Sequence, residues 1–270
     1  MAAASPRKDY AAIAKERIRR PGEPPRMPRI LVYGRNKKGK TTFAETAPNV
    51  LSLDPDDQPT VNRAHLWPIN RWEDVNEAYQ FLRGGKHEYE WVNLDGITRL
   101  HNMALRWVMK QAEERNLDSQ PVQTGIQHYG RANEMIKGML HNFHSLRTIG
   151  LVITAQERVV GVTELDDMDD EDATPASYQF IVDLSARARA ALNAIVDVTG
   201  RIYIVKGEFT RKVRRDGVVV TEEYTRQRRL WIGPEDQYET GYRSEHVLPD
   251  YIENPTVPKL VRAMREGVVK

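Results

Sequence analysis

Residues Ile30–Thr42, ILVYGRNKKGKTT, restrict this chain more than any other segment. An apolar run of β type ends in Gly34, four residues follow, and Gly39, Lys40 and Thr41 then complete a phosphate-loop pattern. A buried strand followed by so sharp a turn aims consecutive backbone N–H groups at one point, and glycines permit that path. The candidate phosphate-binding residues are Gly34, Arg35, Asn36, Lys37, Lys38, Gly39, Lys40, Thr41 and Thr42. Lys40 is expected to reach the outer phosphates and the Thr41 hydroxyl to hold Mg²⁺. A helical stretch, Thr41–Ala47, follows as the pattern requires.

A length of 270 residues suits one large α/β domain or two small ones. Forty Lys and Arg against 38 Asp and Glu leave a net charge of +2, so any nucleic-acid surface has to be local. The absence of cysteine excludes disulfides, thiolate zinc sites and cysteine catalysis. The seven histidines form no HExxH or other metal-ligand spacing, and there is no G-x-S-x-G elbow. No apolar stretch has the length to cross a bilayer, and the N-terminus lacks a signal-peptide core. The expectation is a soluble cytoplasmic protein with no membrane partner.

Residues 1–27 mix alanine, proline and basic residues without periodicity and read as a flexible arm. Strand and helix then alternate: Arg29–Tyr33, Val50–Leu53, Tyr89–Leu94 and Ile149–Thr154 as strands, with helices at Trp72–Arg83, Ile97–Arg115 and Arg131–Leu146. This order predicts a mostly parallel sheet with helices on both faces, its functional residues at the carboxyl ends of strands. A nearly continuous acidic run, Glu164–Asp172, reads as a solvated loop. Ser185–Ile195 reads as helix and Arg201–Val205 as strand. A C-terminal β-hairpin, 208–232, turns at Asp216-Gly217. The domain is expected to span 28–260, with 261–270 a tail.

Asp95 ends the run Trp91-Val92-Asn93-Leu94, which would place its carboxylate beside the phosphate loop to hold the metal through water. The same residue would also suit as the cap of the following helix.

Taken together, Gly34–Thr42, Leu53-Asp54-Pro55-Asp56, Leu94-Asp95-Gly96-Ile97-Thr98 and Val152–Arg158 resemble a RecA-type ATPase core. More narrowly they resemble the RecA-like nucleotide-binding proteins of bacteriophages, some of which belong to the single-strand-annealing recombination group. The resemblance implies a RecA-like P-loop NTPase fold over roughly 28–260, with ATP and Mg²⁺ as cofactors. It makes Asp56 the candidate to activate the attacking water, where the family has a glutamate; adjacent Asp57 keeps the register open by one. It makes Gln156 the sensor of the γ phosphate, the plain alternative being a strand-end amide bonded to backbone. It further implies single-stranded DNA as a partner, a ring or filament of identical subunits, and a phage single-strand-binding protein as a possible associate. If phage-encoded, the protein would act in the host bacterial cytoplasm.

DNA contact is harder to place. The segment after Gln156 leads into the acidic run, which would repel a phosphate backbone. The loop Asn116–Gly130 offers His128 and Tyr129 for stacking but almost no charge. The hairpin is the best basic surface, through Arg211, Lys212, Arg214, Arg215, Arg226, Arg228 and Arg229, although a strand with one solvated charged face would look the same. Two rival functions stand beside recombination: a P-loop motor or loader in replication or packaging, and a nucleotide-gated DNA-binding scaffold without turnover.

Overall fold

In a computed structural model, residues 9, 26–55, 64–115, 123–162, 177–215 and 218–267 are described. Their strands are β1 (Arg29–Gly34), β2 (Val50–Asp54), β3 (His65–Pro68), β4 (Trp91–Leu94), β5 (Gly150–Val162), β6 (Ser177–Val182), β7 (Val198–Arg215), β8 (Val218–Trp231), β9 (Gly241–Tyr242) and β10 (Tyr251–Glu253). The helices are α1 (Lys40–Ala44), α2 (Trp72–Arg83), α3 (Ile97–Arg115), α4 (Ile126–Ser145), α5 (Ala186–Ile195) and α6 (Val257–Glu266).

The sheet runs β10-β8-β7-β1-β5-β4-β2-β3, with β6 on β5 and β9 on β7. From β7 to β3 every pairing along this path is parallel. Strand alternation sorts the core into two layers. Leu31 and Tyr33 of β1 join Leu151 and Ile153 of β5 under α2, α3, α4 and α5. Ile30, Val32 and Val152 point the other way, against Phe43 and Ala44 of α1 and Leu260 of α6. Both faces are covered, so β1 is buried at every position, as a central parallel strand must be. Among the described residues no helix is long and apolar enough to cross a membrane.

The amino end of β1 is pinned by charge. The wholly buried Arg29 donates to the carbonyls of Met27, Ile149, Leu146 and His144. Arg26 forms a two-pronged pair with Asp197, at 2.7 and 3.0 Å, and Asp197 also accepts from the Arg29 backbone. Fixing this end of β1 against β5 and β7 sets the register on which the loop at its other end depends.

Several elements differ from the sequence reading. Helix α1 ends at Ala44, and the chain continues to Ala47 in turns closed by Thr46 N–H on Phe43 and Ala47 N–H on Ala44. Helix α4 begins at Ile126, so His128 and Tyr129 are helical; His128 Nδ1 accepts from Gly125 N–H at the helix start. Strand β5 runs past Gln156 to Val162 because its second half pairs antiparallel with β6. Arg201–Val205 and the first hairpin arm form one strand, β7, whose pairing with β8 already begins at Arg201↔Trp231 and is interrupted by a bulge between Lys206 and Phe209. Beyond 260 the chain is helical as far as Glu266.

Candidate active site

Register brings the site together. β5 lies between β1 and β4, and Gln156 pairs with Gly34 while Ile153 pairs with Leu94. Gln156 is thereby level with the start of the phosphate loop, and Thr154 lies beside Asp95. A Cβ on Gly34 would lie 2.5 Å from the Ile202 carbonyl, so only glycine lets the loop leave the sheet against β7. Lys37 (φ 60°) and Gly39 (φ 94°) both take left-handed backbone, which folds the loop back over the strand end.

The Lys40 ammonium donates to the carbonyls of Gly34 (2.9 Å) and Arg35 (3.0 Å) and lies 3.4 Å from Gln156 Oε1. Burial lowers its pKa, while Asp95 and Glu157 act in the opposite direction. Thr41 Oγ1 donates to Asp95 Oδ2 (2.9 Å), and Thr154 Oγ1 donates to Asp95 Oδ1 (2.6 Å) while accepting from Gly96 N–H (2.8 Å). Both oxygens of Asp95 are thus held in fixed positions. Desolvation raises its pKa, opposed by the two hydroxyl hydrogen bonds and reinforced by the nearby Asp54 charge. A half-buried carboxylate whose charged form is disfavoured in this way is a good place for a cation.

Asn36, Lys37, Lys40, Thr41, Asp54 and Asp95 line a single recess of about 510 Å³, together with Gly39, Thr42, Thr154, Gln156 and Arg228. The volume suits a nucleotide-sized ligand. Hard oxygen donors, the Thr41 hydroxyl and the Asp95 carboxylate, meet in it with Asp54 close by, the donor chemistry Mg²⁺ prefers while keeping several waters. The residues therefore fit the metal expected from the loop.

Of the remaining loop residues, Lys38 is half-buried outside the lining. Arg35 turns its side chain away to Glu157 (3.0 Å), whose buried carboxylate also takes Arg201 Nε at 2.9 Å. Arg201 in turn lies over the rings of Phe180 and Tyr238. Asp56 and Asp57 lie outside the described residues; Asp54, two positions earlier, is buried and in the recess. Gln156 carries its side chain to Lys40, and its backbone carbonyl accepts from Asp183 N–H. Arg158 is exposed.

Among the described residues, the hairpin arginines Arg226, Arg228 and Arg229 go to different surroundings. Arg226 is exposed, and Arg229 bonds to Gln227 and Glu253 and lies over the Tyr251 ring. Arg228 departs from the outward DNA-facing position expected of it: from β8, two strands from β1 in the sheet, its guanidinium reaches Gly39 within the recess. The side chains of Arg211, Lys212, Arg214 and Arg215 lie outside the described residues.

Sequence reasoning passed over Thr154, and it placed Arg228 with the DNA-facing hairpin arginines rather than in the recess. A polar residue inside the apolar run Leu151-Val152-Ile153-Thr154 was a usable signal for the first. Nothing local marked the second.

A family model described as an AAA domain matches residues 26–244. No curated protein matches the chain.

Proposed function

The chain belongs to the AAA-domain family of P-loop ATPases, and from that premise we propose that it binds Mg·ATP and hydrolyses it as a RecA-like protein of phage DNA recombination and single-strand annealing. In this reading it works in the host cytoplasm as a homo-oligomer on single-stranded DNA, with a phage single-strand-binding protein as an associate. The observation that supports turnover most is the convergence of Lys40, Gln156 and the Thr41–Asp95 pair at the carboxyl ends of adjacent parallel strands. Order of motifs along the chain supports the recombination role.

The chain's groups divide the work. Lys40 would offset charge on the outer phosphates, and Thr41, with Asp95 through water, would hold Mg²⁺, which when bound would neutralise charge developing on the phosphate oxygens. Thr154 keeps Asp95 from rotating. Gln156 reads the region next to Lys40 and is continuous, through β5, with β6. Asp56, or Asp54 from within the recess, orients the attacking water and accepts its proton.

The test is ATP turnover by the full chain with and without single-stranded DNA, paired with an annealing assay on complementary strands. ATP hydrolysis stimulated by DNA, with annealing that depends on nucleotide, is expected. Directional unwinding or translocation in place of annealing would favour the motor reading, and nucleotide binding without turnover would favour the scaffold.

A further inference from the structure

Arg228 is the residue whose position the proposed chemistry leaves unused. Its neighbours on β8 are accounted for: Arg226 is exposed and Arg229 is paired with Glu253. Arg228 instead crosses from the hairpin to the phosphate loop of the same chain. A Cβ built on Gly39 would fall 2.5 Å from its Cζ and 2.7 Å from its Nη2. Gly39 is therefore required twice over, by its left-handed backbone and by the guanidinium above it. The Nε of Arg228 is buried and has no hydrogen-bond partner. A buried charged donor left unsatisfied is costly, and an arginine is kept in such a place when an anion joins it.

We propose that Arg228 is a second phosphate-binding cation of this site, supplied in cis by the hairpin and acting on the nucleotide polyphosphate alongside Lys40. The inference rests on the nucleotide reading above and adds to it the residue that carries the hairpin to the ligand. Two observations and the chemistry of the guanidinium converge on an anionic ligand. Arg228 lines the same recess as Lys40, Thr41 and Gln156. Burial lowers its pKa below the usual arginine range. Its planar fork of donors matches phosphate oxygens two at a time, which a lysine ammonium does not. The strand context gives the contact a consequence: Arg228 pairs with Ile204 on β7 and its carbonyl accepts from Asn254 N–H. Phosphate binding would thus bear directly on the strand that also carries exposed Arg226.

The experiment is equilibrium titration of ATP, and separately of inorganic tripolyphosphate, into the full chain with Mg²⁺ present, using wild type, Arg228→Gln, Arg228→Lys and Lys40→Ala. Arg228→Gln should weaken both ligands by a similar factor, ~10–100-fold, as expected for a lost charge-assisted contact. Arg228→Lys should fall between, and the ligand-free melting temperatures should stay near wild type. Should Arg228→Gln melt early, the lysine variant, which keeps the charge but loses the fork, carries the comparison. Unchanged affinity in the folded variants overturns the assignment. Loss of ATP binding with tripolyphosphate binding intact also overturns it, by moving the contact to base or ribose. Wild-type chain that binds neither ligand would overturn the nucleotide reading itself, and the inference with it. To separate cis from trans, Arg228→Gln and Lys40→Ala chains are mixed: the cis arrangement predicts no recovery of turnover, and recovery would contradict it.

Discussion

The phosphate-loop end of the parallel sheet and the β7–β8 hairpin are both rich in basic residues, yet they use them in opposite ways. At the loop, Lys40 is held by two carbonyls and faces an acid whose own oxygens are fixed by two threonines. In the hairpin, successive arginines go to different places: Arg226 to solvent, Arg228 to the loop, Arg229 to Glu253 and Tyr251. The difference comes from the backbone. A parallel strand end with a tight turn focuses several groups on one point, whereas a β-strand sends Arg228 and Arg229 to opposite faces and spaces Arg226 and Arg228, which share a face, along its length, so that only Arg228 reaches the loop. Counting charges in a sequence window thus measures the loop well and the hairpin badly.

Asp95→Asn removes the acid of the focused region. Turnover should fall ~100-fold or more, the scale for removing a fixed charge partner in a reacting site. In EDTA the same variant should melt higher than wild type, because it sheds a desolvated carboxylate whose pKa is raised by desolvation and by Asp54. Mg²⁺ should then stabilise wild type and leave the variant unmoved in thermal melts. A variant that turns over normally would remove Asp95 from the site.

Gly39→Ala attacks the contact between the two regions. The left-handed backbone alone costs ~1–2 kcal/mol with a side chain present, and the added Cβ meets the Arg228 guanidinium. A drop of several degrees in melting temperature is expected, together with weaker nucleotide binding. If Gly39→Ala is repaired by Arg228→Ala, the two residues share one contact; independent effects would separate loop from hairpin.

Arg226→Gln should be the mildest change. Its exposed charge contributes little to stability, so melting and ATP binding should match wild type. If the hairpin meets single-stranded DNA through this arginine, the slope of log K against log salt should flatten by ~0.7. An unchanged slope would leave Arg226 on a solvated face. Replacing Arg226, Arg228 and Arg229 together would confound this measurement, since only the first is on open surface.

The parts of the fold that were readable in the sequence are those written in contiguous residues. Buried runs such as Ile30–Tyr33 and Trp91–Leu94 and the amphipathic α2 and α3 follow from local pattern. Short strands at the margins did not, because β3, His65–Pro68, is largely exposed and ends in proline, and β9 has only two residues. Their pairing partners, not their composition, make them strands. Helix α6 escaped notice for a related reason: its start is fixed by Thr256 capping Lys259 N–H and by Thr46 accepting from Val257 N–H, a contact 211 positions away in the chain. In the site, the phosphate loop and Asp95 were legible through spacing. Thr154 is marked locally only as a polar residue in an apolar run, its partner Asp95 being set by the β4–β5 register; Arg228 needed the contact of its side chain with Gly39, which nothing local encodes.

The central claim is that Lys40, Thr41 and Asp95 form a working Mg·ATP site, and ATP turnover by purified Lys40→Ala beside wild type tests it most directly. The account predicts a folded variant, with wild-type circular dichroism and melting, that shows no hydrolysis above background. A folded Lys40→Ala chain hydrolysing ATP at the wild-type rate would contradict it.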